Sequence, residues 1–297
     1  MIYSNDYGAE FRQAMADKGI STNADMIPDG AIHRVHVIGD KNGTRNGYYA
    51  FYGDGIPAGF FGSWRLGVQF TWSAKLHSEM TRSDRRMRSI RLQQMRLKHD
   101  AERQQRQLKA ASWAAILWSK CIGAEQTHPY LVSKGIQPHH LRQQGELLFV
   151  PMINAKGELW NLQRIWPDGT KRFMQDGCIK GCFALFGDLS SGPIYVCEGV
   201  ATGASIHEKS GIPTVCAMNA GNLISVCSAL ARPDRQIIIC ADNDHRTDGN
   251  PGVTKGREAA AAVGAGLTWP DTCGLSCTCS DFNDVLNCVN ASKGAAK

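Results

Sequence analysis

The chain has 297 residues, of which 43% are apolar, and a net charge of +6, which is typical of a globular protein with one large domain or two. No run of eighteen apolar residues occurs and the N-terminal segment is polar, so the sequence predicts neither a membrane span nor a secretory signal, and we expect a cytoplasmic protein. The 11 cysteines are scattered through apolar runs, which in a reducing compartment indicates small buried side chains rather than a disulfide framework.

Residues 1–75 alternate short aromatic stretches with turn sequences such as GDKNGTRNG, a pattern that predicts a small antiparallel β unit. Arg45 and Arg65 are interleaved with its aromatic residues, an arrangement that either stacks nucleic-acid bases or fills a small β core. Both interpretations are open. The aromatic residues are Tyr48, Tyr49, Phe51, Tyr52, Phe60, Phe61 and Trp64.

Residues 76–125 contain neither Pro nor Gly before Gly123 and are rich in Arg, Gln, Leu, Met and Ala, which predicts one long helix or two. Between Arg82 and Lys109 ten basic residues stand against three acidic ones, a net charge of +7. A basic stretch this localised fits a polyanionic partner such as nucleic acid, and it equally fits a solvated linker helix. The candidate nucleic-acid contacts are Arg85, Arg86 and Arg88.

The rest of the chain predicts two further regions. Residues 126–190 include two strand-like stretches, LLFVPMI and LWNLQRIW, joined by the turn NAKGE. Residues 191–297 alternate short apolar strands with helices, which predicts a parallel sheet covered by helices on both faces. We therefore expect an α/β fold in this last region and α+β architecture overall. In such sheets, functional groups gather beyond the carboxyl ends of the strands.

Acidic residues follow three of the predicted strands. Glu198 comes directly after IYVC, Asp242 and Asp244 follow QIIICA, and Asp281 and Asp284 follow a third apolar stretch. Clustered carboxylates repel one another unless a cation neutralises them, and their hard oxygen atoms suit Mg²⁺ or Mn²⁺. An isolated Asp at such a position is usually a turn or helix-cap residue, but the combination at several strand ends favours a metal site.

The motifs YVCEGVATG, CADND and DFND occur in this order and resemble the Toprim domain, which bacterial-type primases share with topoisomerases and some nucleases. They are most similar to the plasmid and phage primases of conjugative-transfer type. HPYLVSKGI is similar to the segment that opens a primase catalytic core, and the stretch from LLFVPMI to FALFG resembles its basic subdomain. The resemblance covers about residues 125–290. It implies a Toprim catalytic domain (191–297) and a basic primase-core subdomain (126–190). The patterns described above add a basic helical linker (76–125) and an N-terminal β unit (1–75) that is a candidate for template binding.

The resemblance implies a DNA primase, a nucleotidyltransferase that makes short RNA primers on single-stranded DNA from nucleoside triphosphates, for a plasmid or other mobile element. It assigns catalysis to Glu198, Asp242 and Asp244, and it adds Asp281 and Asp284 to the set that holds Mg²⁺ or Mn²⁺. The residues that it places near nucleotide or DNA are Arg164, Lys171, Arg172, Lys180, Asn222 and Lys255.

Several alternatives and exclusions accompany this interpretation. A Toprim-type metal-dependent nuclease needs the same carboxylates, whereas a non-catalytic single-stranded-DNA-binding accessory protein does not need them intact. No helicase Walker motif is present, so we expect a separate replicative helicase as partner. Zinc is not expected, because no cysteine precedes Cys121 and the C-x3-C-x-C spacing of Cys273, Cys277 and Cys279 is not a usual zinc spacing.

Overall fold

The computed structural model describes residues 6–74, 81–271 and 278–288. The chain forms two compact units, one ending at His99 and the other beginning at Asp100. The described helices are α1 (Tyr7–Asp17), α2 (Arg82–Lys120), α3 (Pro129–Lys134), α4 (Val200–Ser210), α5 (Leu223–Leu230), α6 (Pro251–Val263) and α7 (Phe282–Leu286). None of them is long and apolar enough to cross a membrane.

The described strands are arranged in three sheets. They are β1 (His33–Val35), β2 (Gly47–Tyr52), β3 (Ala58–Ser63), β4 (Val68–Ser73), β5 (Ile122–Gly123), β6 (Arg142–Gln144), β7 (Leu147–Ile153), β8 (Leu159–Ile165), β9 (Lys171–Phe173), β10 (Ala184–Phe186), β11 (Ile194–Cys197), β12 (Thr214–Cys216), β13 (Ile237–Cys240) and β14 (Gly266–Thr268).

The first unit contains an antiparallel sheet in the order β1-β2-β3-β4, as the aromatic stretches and turns predict. It also contains helix α1, which those signals did not indicate. Phe11 and Met15 lie one helical turn apart on α1 and are fully buried in a cluster with Tyr49, Phe51 and Phe61. The sheet therefore has a covered inner face, and α1 is the element that covers it.

The second unit begins with an antiparallel sheet in the order β5-β6-β7-β8-β9. Because side chains alternate along a strand, its two faces meet different partners. Phe149 and Leu162 pack with Ala114 of helix α2. Leu148 and Ile165 join a core cluster that also contains residues of β11 and α4. This sheet is thus enclosed between α2 and the second sheet of the unit.

That second sheet has the order β10-β12-β11-β13-β14. Strands β11 to β14 are parallel to one another, whereas β10 pairs with β12 in the antiparallel direction at the edge. The central strands are apolar and buried because helices cover them on both sides. One of these helices, α4, is capped at its C-terminus by Gly211, whose φ of +69° is a left-handed conformation that favours glycine. The expected α/β architecture is confirmed, with β10 as its one antiparallel addition.

Candidate active site

The carboxyl ends of the parallel strands meet at one edge of the sheet. Strand β11 lies between β12 and β13, and Cys197 at its end is level with Cys216 on one side and Cys240 on the other. Glu198 is therefore one residue beyond this level, and Asp242 is two residues beyond it. The topology brings together acidic residues that are 44 positions apart in the sequence.

Glu198 occupies a partly enclosed position at this edge. Its carboxylate accepts a hydrogen bond from the backbone N–H of Ala220, but its Oε1 atom is buried and has no hydrogen-bond partner. Burial, and then the nearby charge of Asp244, raise the pKa of Glu198 to about 7. Its carbonyl oxygen accepts a hydrogen bond of 2.8 Å from Met218 N–H, and Met218 has a φ of +72°. A non-glycine residue in this conformation stores backbone strain, which is common beside functional sites.

Asp242 is the most strongly perturbed carboxyl group of the cluster. Its Oδ1 atom is buried without a hydrogen-bond partner. Burial raises the pKa of Asp242 to about 8, with further contributions from the charges of Glu198, Asp281, Asp244 and Asp284 in that order of influence. Four neighbouring carboxyl groups therefore act on Asp242, which is held in a position that disfavours its charge.

Asp244 is held by the start of helix α6. Its Oδ2 atom accepts a hydrogen bond of 3.0 Å from the backbone N–H of Gly252, and the positive end of the helix dipole favours a carboxylate there. Gly252 has to be glycine, because a Cβ atom would lie 2.3 Å from the carbonyl oxygen of Asp242. The glycine lets α6 begin directly against the loop that carries both aspartates.

The second pair of carboxylates, Asp281 and Asp284, is tied to the loop that carries the first pair. The backbone N–H of Asn243 donates a 2.6 Å hydrogen bond to the carbonyl oxygen of Ser280. Asp281 then caps helix α7 by accepting a hydrogen bond of 2.8 Å from Asp284 N–H. Asp284 lies 3.7 Å from the amine of Lys134. Asp281 therefore both caps helix α7 and lies close to the other carboxylates of the cluster.

The cluster fits a divalent cation. Two buried carboxylate oxygens, Glu198 Oε1 and Asp242 Oδ1, have no hydrogen-bond partner. A cation satisfies such atoms and offsets the repulsion that adds to burial in raising both pKa values. Within the described residues, no three carboxylate, thiol or imidazole groups are close enough to form a preassembled metal site.

Lys171 extends from the antiparallel sheet toward the same cluster. Its amine lies 5.3 Å from the centre of the Tyr130 ring. Partial removal from water lowers the pKa of Lys171, while the charges of Asp281 and Asp242 oppose this change. The ammonium group of Lys171 therefore interacts electrostatically with the carboxylates. Among the basic residues predicted from the sequence, Lys171 is the one that the structure brings close to the acidic cluster.

Arg164 and Arg172 lie on the opposite face of the antiparallel sheet. They are direct cross-strand partners, and Arg164 also faces Phe149, which packs against α2. The guanidinium of Arg164 lies 5.7 Å from the Trp166 ring, and its Nε atom is buried without a hydrogen-bond partner. Because neighbouring residues of a strand point to opposite faces, the side chains of Lys171 and Arg172 lie on opposite faces of the antiparallel sheet.

The remaining candidates are dispersed. Lys180 is exposed in the loop before β10, and the amine of Lys255 pairs with Glu258 at 2.7 Å on α6. The side-chain amide of Asn222 accepts from Gly181 N–H and donates to three carbonyl oxygens at 2.9 Å. It is 4% exposed, so its hydrogen bonds position the loop before β10 and leave none for a phosphate group.

Three candidates fall on helix α2 in the first unit. Arg85 and Arg86 are exposed. Arg88 occupies a position whose side chain lies outside the described residues, and Cys273 and Cys277 also lie outside them.

Sequence reasoning missed three residues next to the cluster. Tyr130 has a buried hydroxyl without a hydrogen-bond partner, and burial raises its pKa to about 12. Lys134 neighbours Asp284. Asn283 is 1% exposed, and its amide donates to the carbonyl oxygen of Lys134 at 2.7 Å and to the hydroxyl of Ser205 at 2.8 Å. The motifs HPYLVSKGI and DFND contain all three residues, so the motifs located them without revealing what they contact.

Comparison with known proteins agrees with the motifs. Residues 193–291 match the family described as the Toprim domain. Over 278 residues, or 88% of its length, the chain is 35% identical to a DNA primase TraC of Escherichia coli, of which it covers 26%. A second Escherichia coli DNA primase TraC is 33% identical over 279 residues, with 19% of that protein covered. The chain thus spans about a quarter or a fifth of the length of the curated relatives that it matches.

Among solved structures, the primase fragment of the bacteriophage T7 primase-helicase protein is similar at 19% identity, with 56% of this chain and 70% of that chain covered and a TM-score of 0.41. The resemblance to Toprim-domain primases that the sequence motifs indicate is confirmed by the family match and by the two curated relatives.

Proposed function

We propose that this chain, whose residues 193–291 form a Toprim domain, is a DNA primase. It synthesises short RNA primers on single-stranded DNA by metal-dependent nucleotidyl transfer from nucleoside triphosphates. The identity of 35% and 33% to proteins named DNA primase supports this assignment. We extend it to replication or transfer of a plasmid or other mobile element, as the similarity of its motifs to conjugative-transfer primases implies.

One observation carries the proposal: two buried carboxylate oxygens without partners lie at strand ends that face a lysine of the neighbouring basic sheet. Glu198, Asp242 and Asp244, with Asp281 and Asp284, would hold Mg²⁺ or Mn²⁺. When bound, the cation stabilises negative charge on the phosphoryl oxygens as the transfer proceeds. Phosphoryl transfer depends mainly on such charge stabilisation and on alignment, and this arrangement supplies both.

Proton transfer and binding of the triphosphate are assigned to residues of the chain itself. In the transfer, a 3′-oxygen forms a bond to the α-phosphorus of the next nucleotide, the α–β phosphoanhydride bond breaks, and pyrophosphate leaves. The attacking hydroxyl loses its proton, and Glu198, a carboxylate one residue beyond the end of β11, is assigned to accept it. The amine of Lys171, whose pKa the charge of Asp281 raises against the effect of burial, binds the triphosphate as a point charge.

The basic residues on the other face of the antiparallel sheet are assigned to the template. Arg164 and Arg172 are directly opposed, so their charges repel unless an anion lies between or above them. A planar guanidinium binds phosphate through two hydrogen bonds, and the aromatic ring of Trp166 beside Arg164 resembles the mixture of cations and rings that holds single strands. Lys180 and Lys255 remain candidates for more distant phosphate contacts.

The test is a primer-synthesis assay. Purified protein is incubated with single-stranded DNA, labelled nucleoside triphosphates and Mg²⁺ or Mn²⁺, with EDTA as the metal-free control. Short RNA products that disappear in EDTA are the expected result. A degraded template would instead identify the metal-dependent nuclease, and binding without either product would identify the non-catalytic accessory protein. A separate replicative helicase and a cytoplasmic location remain predictions of the proposal.

A further inference from the structure

The outer face of the sheet in the first unit carries a patch of aromatic side chains. Strand alternation divides the aromatic residues of this unit between two environments. Tyr49, Phe51 and Phe61 point inward and form the core with α1. Tyr48 and Phe60 belong to the other face, since each is adjacent in its strand to an inward residue. The two interpretations of these aromatics, core and stacking surface, therefore apply to different residues.

We define the aromatic face as Arg34, Tyr48, Phe60, Trp64 and Gln69. The rings of Tyr48 and Trp64 lie 4.3 Å apart between centroids, and those of Tyr48 and Phe60 lie 6.5 Å apart. The guanidinium of Arg34 lies 4.6 Å from the Trp64 ring. Trp64 nevertheless keeps 53% of its surface exposed, so it covers its neighbours and still presents a free ring surface to solvent.

The face is held in one arrangement before any ligand binds. The Tyr48 ring lies over Gly62, where a Cβ atom would come within 2.4 Å of the Tyr48 hydroxyl oxygen. That hydroxyl donates a hydrogen bond of 3.1 Å to the side-chain carbonyl of Gln69. Rings that are already fixed lose little conformational entropy when a ligand binds, so the aromatic face is preorganised for stacking.

We propose that the aromatic face binds single-stranded DNA by stacking one or two bases on Trp64 and Tyr48, with Arg34 contacting the adjoining phosphate. The outward strand positions favour this occupant over a protein partner. Besides the aromatic residues and Arg34, they hold only small or polar side chains, with no Leu, Ile, Val or Met among them: Ala50, Ala58, Gly62, Gln69, Thr71 and Ser73. Protein interfaces rely on an apolar centre, whereas π-faces with a cation suit bases and phosphates.

Charge confines the proposed contact to one end of the face. At the other end, burial and the charge of Asp29 raise the pKa of Tyr52, and a carboxylate there repels a phosphate backbone. Arg65 lies near Trp64 in sequence but is paired with Asp40 at 2.6 Å. Arg34 is therefore the cation that the face itself offers to DNA. This inference rests on the proposed function, because it takes the ligand to be the primase template.

The test measures the affinity of the full chain for a labelled oligo-dT strand, without nucleotides or metal, so that its outcome does not depend on primer synthesis. Trp64→Ala should weaken binding about tenfold, since stacking on an aromatic side chain contributes about 1–3 kcal/mol per base. Trp113, which is 65% exposed on α2, provides the matched control, and Trp113→Ala should leave the affinity within about twofold of the wild type.

Salt dependence separates the two components of the face. Trp64→Ala should leave the slope of log affinity against log salt unchanged, whereas Arg34→Gln should reduce it by about 0.7, the value for one phosphate neutralised on a single strand. Tyr48→Phe keeps the ring and should bind nearly as the wild type does, while Tyr48→Ala should not. Equal affinities for wild type and Trp64→Ala, or a weakening seen only with an RNA strand, would overturn the proposal.

Discussion

The two sheets of the second unit carry charge in opposite ways. In the parallel sheet, acidic residues lie just beyond strand ends, partly buried and close enough to raise the pKa of Asp242 to about 8. In the antiparallel sheet, basic residues lie along the strands, near aromatic rings, with Lys171 on one face and Arg164 and Arg172 on the other. The first arrangement concentrates charge at one point, and the second distributes it over two surfaces.

This difference shows where stability and function oppose each other. The carboxylates disfavour the metal-free folded state, because burial and mutual repulsion act on the same groups. Exposed basic side chains such as Arg172 contribute little to stability in either direction, since charged groups at a surface are screened by water and salt. Substitutions in the acidic cluster should therefore change activity and stability together, whereas those on the basic sheet should change binding alone.

The largest effect is expected at the centre of the acidic cluster. Asp242→Asn and Asp244→Asn should each reduce primer synthesis at least about 100-fold, because removing a ligand charge costs several kcal/mol of transition-state stabilisation. The metal-free Asp242→Asn protein should melt at a higher temperature than the wild type. Asp248→Asn, on an exposed position of the same loop, is the control and should retain full synthesis. Wild-type primer yield from either variant would contradict the metal assignment.

Glu198 tests whether the cluster is catalytic rather than structural. Glu198→Gln keeps the size of the side chain and removes its charge and basicity, so synthesis should fall to near background. Single-stranded DNA affinity, measured by fluorescence anisotropy, should stay within about twofold of the wild type, because the residues assigned to the template, Arg164 and Arg172, lie on the face of the antiparallel sheet opposite to Lys171 and the cluster. A large decrease in DNA affinity would show instead that Glu198 supports the fold or the DNA-binding surface.

Adjacent residues of β9 test the division between the two faces of the antiparallel sheet. Lys171→Ala should raise the KM for nucleoside triphosphates about tenfold, since the variant has no amine to bind the phosphate groups. Arg172→Ala should leave that KM unchanged and weaken the binding of template DNA. Steady-state kinetics at saturating template and a separate binding titration measure the two quantities. The same response from both variants would mean that the two faces do not act separately.

The acidic cluster also predicts a pH dependence of stability. Folding raises the pKa of Glu198 to about 7 and of Asp242 to about 8, so the folded state binds more protons than the unfolded state between about pH 4 and pH 8. The contribution of these groups is complete below about pH 4 and is lost as the pH rises through both values. The melting temperature of the metal-free protein should therefore fall across this range by a few degrees.

Two comparisons isolate that pH effect from other titrations. Asp242→Asn should show a smaller decrease in melting temperature than the wild type over the same range. Addition of Mg²⁺ or Mn²⁺ should restore stability mainly at about pH 8, where protons no longer compete for the carboxylates. Parallel melting curves for the variant and the wild type at every pH would remove Asp242 from the explanation.

The smallest effect is expected on helix α2. Neutralising Arg85, Arg86 and Arg88 together should reduce the salt dependence of single-stranded DNA affinity, with the slope falling by about 0.7 for each phosphate that these side chains no longer neutralise. Synthesis should recover at high template concentration, because the acidic cluster is unchanged. If α2 is only a solvated linker, the lines for variant and wild type plotted against salt will be parallel.

Local patterns in the sequence predicted much of this fold. The alternation of apolar strands and helices between Ile194 and Thr268 was correct in type and order, because buried strands and Gly-capped helices leave strong local signals. Helix α1 was not predicted, since two buried side chains, Phe11 and Met15, are a weak periodic signal. The antiparallel direction of β10 was also not predicted, because strand direction depends on which neighbour a strand pairs with, and three residues do not encode that choice.

The sequence by itself determined which acidic residues follow the strands that end before Glu198 and Asp242. Their meeting at one edge of the sheet could be predicted as well, because parallel strands that pair align their carboxyl ends. Only the tertiary structure decided which cations and supporting residues join them. Lys171 and Arg172 are adjacent in sequence yet serve opposite faces, and the side chain of Asn222 is fully engaged in internal hydrogen bonds. These outcomes depend on strand pairing and on contacts between residues far apart in the chain, which no local pattern of residue types specifies.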